Sequence, residues 1–311
     1  MKILLLGANG QVGWELRRSL ISLGELVACD RTTADLEQQD NLAHLVKSLA
    51  PDIIVNAAAY TAVDRAETEV DKANLINAKA VGLLAKLAAE SGAWLVHYST
   101  DYVFNGAGQK AYKETDATSP LNIYGASKLA GEQAIVESGC QHLIFRTSWV
   151  YGAHGHNFVK TILRLGQERD ELKIVGDQIG APTGAELIAD VTALALYRIM
   201  LDSSKASSLS GIYHLTASGE TSWHGYAQYI LNLAAEKGVK LKVLSEQVTS
   251  ITTAEYPVPA KRPMNSRLDL EKIQTIFGVS LPHWQVGVGR VLLSCIQKLY
   301  WRYGIDNDIL K

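Results

Sequence analysis

Seven residues near the N-terminus restrict the fold more than any other feature. Gly7-Ala8-Asn9-Gly10-Gln11-Val12-Gly13 follows directly on the apolar run Lys2–Leu6 and opens a segment of helical period. Glycine permits a tight turn and lets backbone N–H groups approach a ligand, and the N-terminus of the helix that follows favours negative charge. A strand, a glycine turn and a helix in that order predict a pyrophosphate cradle at Gly7, Gly10, Gln11, Val12 and Gly13. The spacing is G-x-x-G-x-x-G, not the G-x-G-x-x-G of the dehydrogenase fingerprint. A strand-to-helix turn without a ligand is the plainer alternative, and the position straight after the first strand argues against it.

The rest of the first 150 residues repeats the alternation. Short β-branched apolar runs at Leu26–Cys29, Asp52–Asn56, Trp94–Ser99 and His142–Thr147 are separated by helical segments at about 11–23, 40–49, 71–91 and 124–138. This predicts an α/β fold, a doubly wound parallel sheet of Rossmann type over residues 1–150. After Thr147 glycine and proline thicken through Gly152, Gly155, Gly176, Gly180, Pro182 and Gly184, with helices at about 157–168 and 184–201. Ligands in open α/β sheets sit beyond the carboxyl ends of the strands. Residues 151–311 are therefore expected to form mainly a smaller substrate-binding lobe, with later segments returning to the first domain.

Composition narrows the partners. The 311 residues carry 30 basic and 32 acidic side chains, a net charge of -2, which lacks the positive footprint of a nucleic-acid or anionic-membrane binder. Cys29, Cys140 and Cys295 are odd in number and far apart, which fits a reducing compartment. The N-terminal apolar run is too short for a signal segment, and the stretch from Val286 is interrupted by Arg290 and Lys298. A cytoplasmic protein is the expectation.

Asp30 ends the second strand about twenty residues after the central glycine, where a carboxylate can accept hydrogen bonds from the adenosine ribose and repel a 2′-phosphate. Arg31, next to it, could instead pair with that phosphate, so NADH and NADPH both stay open. Asp35 and Leu36 are placed near the adenine. Small residues close the third strand at Asn56-Ala57-Ala58-Ala59-Tyr60-Thr61 and leave room for a flat cofactor, although an alanine run also serves helix–sheet packing.

Tyr124-Gly125-Ala126-Ser127-Lys128 puts a phenol and an amine one helical turn apart. A phenol with an ordinary pKa of about 10 needs lowering by about three units, about 4 kcal/mol, to exchange protons near neutral pH. An ammonium about 4 Å away supplies that much at an effective dielectric near 20. The expectation is that Lys128 lowers Tyr124. Upstream, Ser99-Thr100-Asp101 follows the fourth strand, so the Thr100 hydroxyl reaches the same sheet edge and could stabilise a developing oxyanion. An exposed Tyr–Lys pair and a turn-capping threonine are the plain alternatives, and the glycine turn argues against them.

The G-x-x-G-x-x-G turn, the N-A-A strand end, S-T-D-Y-V-F and Y-G-x-S-K-L-x-G-E together resemble the extended short-chain dehydrogenase/reductase family. Phe145-Arg146-Thr147-Ser148-Trp149-Val150-Tyr151, Asp177–Thr183, Tyr213-His214-Leu215 and the passage Tyr256 to Arg267 are similar, within it, to the dTDP-4-dehydrorhamnose reductases over essentially the whole chain. The resemblance implies hydride transfer from NADPH or NADH to a sugar 4-keto group, giving dTDP-L-rhamnose for polysaccharide biosynthesis. It implies Tyr124 as proton donor, Lys128 on the nicotinamide ribose and Thr100 on the keto oxygen. Cofactor contacts would fall on Gly10, Gln11, Val12, Asp30, Asp35, Leu36, Ala59, Tyr60 and Thr61, and sugar contacts on Asp101 and Trp149. Arg262, between prolines, is the physical candidate for the diphosphate.

His154-Gly155-His156 lacks an evident third ligand and is taken as a loop. Some family members hold magnesium at a homodimer interface through carboxylates that match Glu15 and Glu186, but Ser294 stands in the region of the third. Two other functions share the fold. One is a non-catalytic NADP-binding regulatory subunit of methionine adenosyltransferase, which the intact Thr100, Tyr124 and Lys128 argue against. The other is a nucleotide-sugar epimerase or dehydratase, which would consume no added cofactor.

Overall fold

A computed structural model of the chain describes residues 1–201 and 206–303. Of the lobe expected over 151–311, residues 202–205 and 304–311 lie outside the described residues. In chain order the elements are β1 (Lys2–Leu6), α1 (Gln11–Leu20), β2 (Glu25–Cys29), α2 (Gln39–Leu49), β3 (Ile53–Asn56), α3 (Val63–Ala66), α4 (Val70–Asn74), α5 (Ala80–Ser91), β4 (Trp94–Thr100), α6 (Ile123–Ser138) and β5 (His142–Thr147). There follow β6 (Val150–Tyr151), α7 (Phe158–Glu168), β7 (Leu172–Val175), β8 (Ile179–Gly180), β9 (Thr183–Gly184), α8 (Ala185–Leu201), β10 (Gly211–His214), β11 (Thr221–Ser222), α9 (Trp223–Glu236), β12 (Val248–Ile251), α10 (Glu271–Phe277) and α11 (Trp284–Tyr303).

Six parallel strands form the central sheet in the order β10-β5-β4-β3-β1-β2. The strands are near-continuous apolar runs because helices cover both faces. In β1, Ile3 and Leu5 join a core with Leu16 of α1, Ile188 and Leu196 of α8 and Phe277 of α10. The alternate residues Leu4 and Leu6 join the opposite core with Leu42 of α2, Leu84 of α5 and Ile135 of α6. This two-residue alternation fixes the strand register, because a slip of one residue would exchange the faces. A third core lies apart from the sheet, built by Val159 and Ile162 of α7, Tyr226 and Ile230 of α9, and Trp284, Val288 and Leu292 of α11.

One expected helix differs. The segment read as continuous over 71–91 is α4, then a π-helical turn at Leu75–Lys79, then α5. The extra residue in that turn accompanies an inward Asn77, which accepts from the Tyr60 amide at 2.8 Å and donates to the Tyr60 carbonyl at 3.0 Å. The turn thereby ties the helix to the backbone at the end of β3.

Candidate active site

The glycine turn is as compact as its sequence demands. Gly7 has φ +78°, and a Cβ there would stand 2.6 Å from the Ala58 nitrogen. A Cβ on Gly13 would stand 2.0 Å from the Gly7 carbonyl oxygen, so α1 starts hard against the turn. Gly10 caps α1, whose first turn has no acidic side chain to compete for an anion. Beyond this turn opens a cleft of about 1120 Å³, lined among others by Gly7, Gly10, Gln11, Val12, Asp30, Arg31, Asp35, Leu36, Ala59, Tyr60 and Thr61. A cradle that no Cβ could enter, continuous with a cleft of this size, fits a dinucleotide.

Just after β2, the Asp30 carboxylate accepts from Asn9 Nδ2 at 2.7 Å and from the Thr32 hydroxyl at 2.6 Å. The Thr32 hydrogen bonds hold its carboxyl below the ordinary aspartate range. Arg31 is engaged by Glu37 and by Asp35 at 3.5 Å, so a 2′-phosphate would have to compete with two carboxylates for it.

The same cleft is lined at its other end by Thr100, Asp101, Tyr124, Lys128, Trp149 and Arg262. Thr100 ends β4 opposite Thr147 of β5. Asn122 caps α6 by accepting from the Gly125 amide at 2.8 Å, which starts the helix that carries Tyr124 and Lys128. The close passage of Gly125 against the Tyr102 carbonyl, 2.2 Å from where a Cβ would be, lets α6 lie on that segment. The Thr100 hydroxyl donates to Asp101 Oδ1 at 3.0 Å, and Thr100 and Tyr124 both line the cleft. Asp101 is 3% exposed, and burial lifts its carboxyl to about 6 against the hydrogen bonds that favour the ionised form.

Here the structure corrects the expected role of Lys128. Burial pushes the Tyr124 phenol up, and Lys128 is not among the groups that counter this. Lys128 Nζ is instead 2.6 Å from the Tyr98 carbonyl and 3.1 Å from His97 Nε2. Its own pKa is lowered by burial to about 8. A helical offset of four residues does place both side chains at one cleft, but the amine points down to the strand beneath it.

Trp149, also in the cleft lining, has φ +48° and stacks on Trp223 with ring centroids 3.8 Å apart. Trp149 lies against Gly180, where a Cβ would be 2.8 Å from the indole. Arg262 is in place but paired, with Nη2 2.7 Å from Asp64 Oδ2 and Nη1 3.5 Å from the Tyr102 hydroxyl. The loop after β6 closes on the glycine turn. His154 Nε2 donates to the Asn9 carbonyl at 3.1 Å, and Asn157 Nδ2 donates to Gln11 Oε1 at 2.9 Å. No sequence motif pointed to Asn157, Trp223 or His97, whereas Asn56 stood in the N-A-A strand end. For His97 alone there was a signal, a histidine inside an otherwise apolar strand.

The two carboxylates matched to magnesium do lie together. Glu15 is raised by burial and by the charge of Glu186, but Arg18 is 3.5 Å from Glu15 and Arg290 is 3.1 Å from Glu186. Among the described residues no group of three or more His, Cys, Asp or Glu is placed to hold a metal ion. A pair of carboxylates already answered by two guanidiniums does not fit a divalent cation within the chain.

A parallel Rossmann-type sheet with a glycine cradle at one end of its carboxyl edge and a Thr–Tyr–Lys cluster at the other defines a nucleotide-binding fold of the short-chain dehydrogenase/reductase type. The model of the RmlD substrate binding domain family matches residues 1–296, and the chain belongs to that family. It is 53% identical over 296 residues to the dTDP-4-dehydrorhamnose reductase of Escherichia coli strain K12, covering 94% of this chain and 97% of that protein. The dTDP-4-dehydrorhamnose reductase of Burkholderia thailandensis is 51% identical over 298 residues, covering 94% and 100%. Among solved structures, the dTDP-4-dehydrorhamnose reductase of Bacillus anthracis in complex with NADP superposes with a TM-score of 0.83 at 36% identity, covering 94% of this chain and 98% of that one.

Proposed function

We propose that this protein reduces the 4-keto group of dTDP-4-dehydro-L-rhamnose to give dTDP-L-rhamnose, with NADPH or NADH as reductant. The observation that carries this is that Thr100, Tyr124 and Lys128 line one cleft with the glycine turn. The reduced nicotinamide, when bound, supplies the hydride to sugar C4. Tyr124 gives its phenolic proton to the oxygen as negative charge develops there. A phenol raised by burial is fully protonated at neutral pH and so is loaded as a donor. Thr100 orients the keto oxygen beside it, and Lys128 holds the nicotinamide ribose. Asp101 and Trp149 approach the sugar, and Arg262 turns from Asp64 to the diphosphate.

The three cysteines are buried thiols, in keeping with a cytoplasmic reaction, and among the described residues no helix is long and apolar enough to cross a membrane. The product would serve polysaccharide synthesis, and a homodimer is part of the same proposal. The test supplies dTDP-4-dehydro-L-rhamnose, beside its UDP counterpart, with either reduced cofactor, and identifies the product by NMR. One cofactor oxidised per dTDP-L-rhamnose formed is expected. Cofactor binding without net oxidation would overturn the proposal and favour an epimerase or a regulatory subunit.

A further inference from the structure

Where the cleft runs past the end of β2, one carboxylate holds two cations. Glu37 pairs with Arg31, six residues earlier, and with Lys72 Nζ of α4 at 3.3 Å. All three residues belong to the cleft lining. The loop that carries Glu37 is fixed by its own bonds. The Asp35 carboxylate accepts from the Glu37 amide at 3.0 Å, and the Asp30 carbonyl accepts from the Ala34 amide at 2.8 Å. Leu36, between them and Glu37, is buried in the core with Leu42 of α2. Glu37 is thereby presented to α4 from a rigid turn. The carboxylate next to α4, Glu69, is itself held by Arg65 and by the Tyr60 hydroxyl at 3.0 Å.

We propose that Glu37 sets the choice between the two reduced cofactors, by occupying Arg31 and Lys72, which without it form a site for the adenosine 2′-phosphate. The inference rests on the proposed nicotinamide cofactor. A guanidinium offers a planar fork and an ammonium a mobile point charge, and both are donors that a phosphate monoester takes. Arg31 follows directly on Asp30, the residue assigned to the ribose, so its guanidinium and the 2′ position share one stretch of the cleft. Glu37 fills the space between the cations with the same sign of charge that the phosphate carries. A ribose with a free 2′-hydroxyl brings no charge and needs neither cation, so Glu37 leaves NADH untouched.

Screening sets the size of the effect. The Arg31 and Lys72 side chains are 68% and 38% exposed, so neither ion pair is strong by itself and a competing anion can displace it. A carboxylate about 4 Å from a nearly doubly charged phosphate still lowers affinity about tenfold or more at the dielectric of water. The same exposure makes that penalty dependent on ionic strength.

Binding, not turnover, tests this. NADH and NADPH are titrated at low salt into the full chain and into Glu37→Gln, with the fluorescence of the reduced nicotinamide as readout. Glu37→Gln should tighten NADPH about tenfold and leave NADH nearly unmoved, and the gain should shrink as salt is added. Calorimetry with adenosine 2′,5′-bisphosphate should show the same gain, and with AMP none. Adding Arg31→Ala or Lys72→Met to Glu37→Gln should take back much of it. An unchanged ratio of the two affinities in Glu37→Gln, or an equal gain for both cofactors, would overturn the role of Glu37 and leave the proposed reaction standing. A parent chain that binds neither cofactor would overturn both.

Discussion

The Arg146 guanidinium forks onto the Glu132 carboxylate, with Nε 3.0 Å from Oε1 and Nη2 2.6 Å from Oε2, and both side chains are almost wholly out of water. The pair joins β5 to α6, the helix that presents Tyr124, and Arg146 also lies over the Phe104 ring at 5.1 Å. Removing one member of a buried pair leaves the other as an uncompensated charge, at a cost of about 3–5 kcal/mol. Glu132→Gln should therefore lose stability on that scale in urea unfolding, while Glu132→Leu combined with Arg146→Met should recover a large part of it. Equal losses in the single and double variants would show that packing, not charge, dominates.

Tyr124→Phe keeps the ring against Tyr102, whose centroid is 5.8 Å away, and removes only the hydroxyl. Turnover should fall by about 10²–10⁴, the usual contribution of a positioned acid. Cofactor affinity, followed by fluorescence titration, should change little. Turnover near the parent value would remove Tyr124 from the reaction.

Asp30→Ala should weaken NADH more than NADPH. Thr32 and Asn9 hold the Asp30 carboxylate in the lining of the cleft, where on the proposed assignment it would accept from ribose hydroxyls and repel a 2′-phosphate. A hydrogen bond to a charged group is worth about 1.5–3 kcal/mol, so the NADH dissociation constant should rise about tenfold or more. Parallel losses for the two cofactors would reject the ribose contact.

Asp101 gives stability a pH dependence. Its carboxyl is raised by burial from 3.8 to about 6, so the folded state binds this proton more tightly than the unfolded chain. The stabilisation is fully present below the unfolded value and is lost as pH rises from about 4 through about 6, amounting to roughly 3 kcal/mol. Asp101→Asn retains an acceptor for Thr100 and escapes that loss. The variant should thus gain in thermal midpoint over the parent at pH 8 and hold little advantage near pH 4.

The sheet and its cradle were legible because their determinants are local. The apolar run of β1, the turn from Gly7 to Gly13 and the four-residue offset of Tyr124 and Lys128 each lie within one short stretch. What escaped depends on residues brought together from afar. The direction of the Lys128 amine is set by His97 and Tyr98, about thirty residues earlier, and Arg262 finds Asp64 across 198 positions. Trp149 adopts a left-handed backbone because it is sandwiched by Trp223 and Gly180, which no local rule anticipates. The π-helical turn at Leu75–Lys79 likewise answers to Tyr60 rather than to its own sequence.

The loop carrying His154 and Asn157 reaches from beyond β6 to hold Asn9 and Gln11, so the glycine turn is tied to the half of the chain that we propose binds the substrate. Swapping that half between two related reductases would carry over the donor's grip on the glycine turn together with its sugar selectivity. Recombination at the obvious seam would alter two specificities at once, and an engineer who wants to change one of them must cut after Asn157.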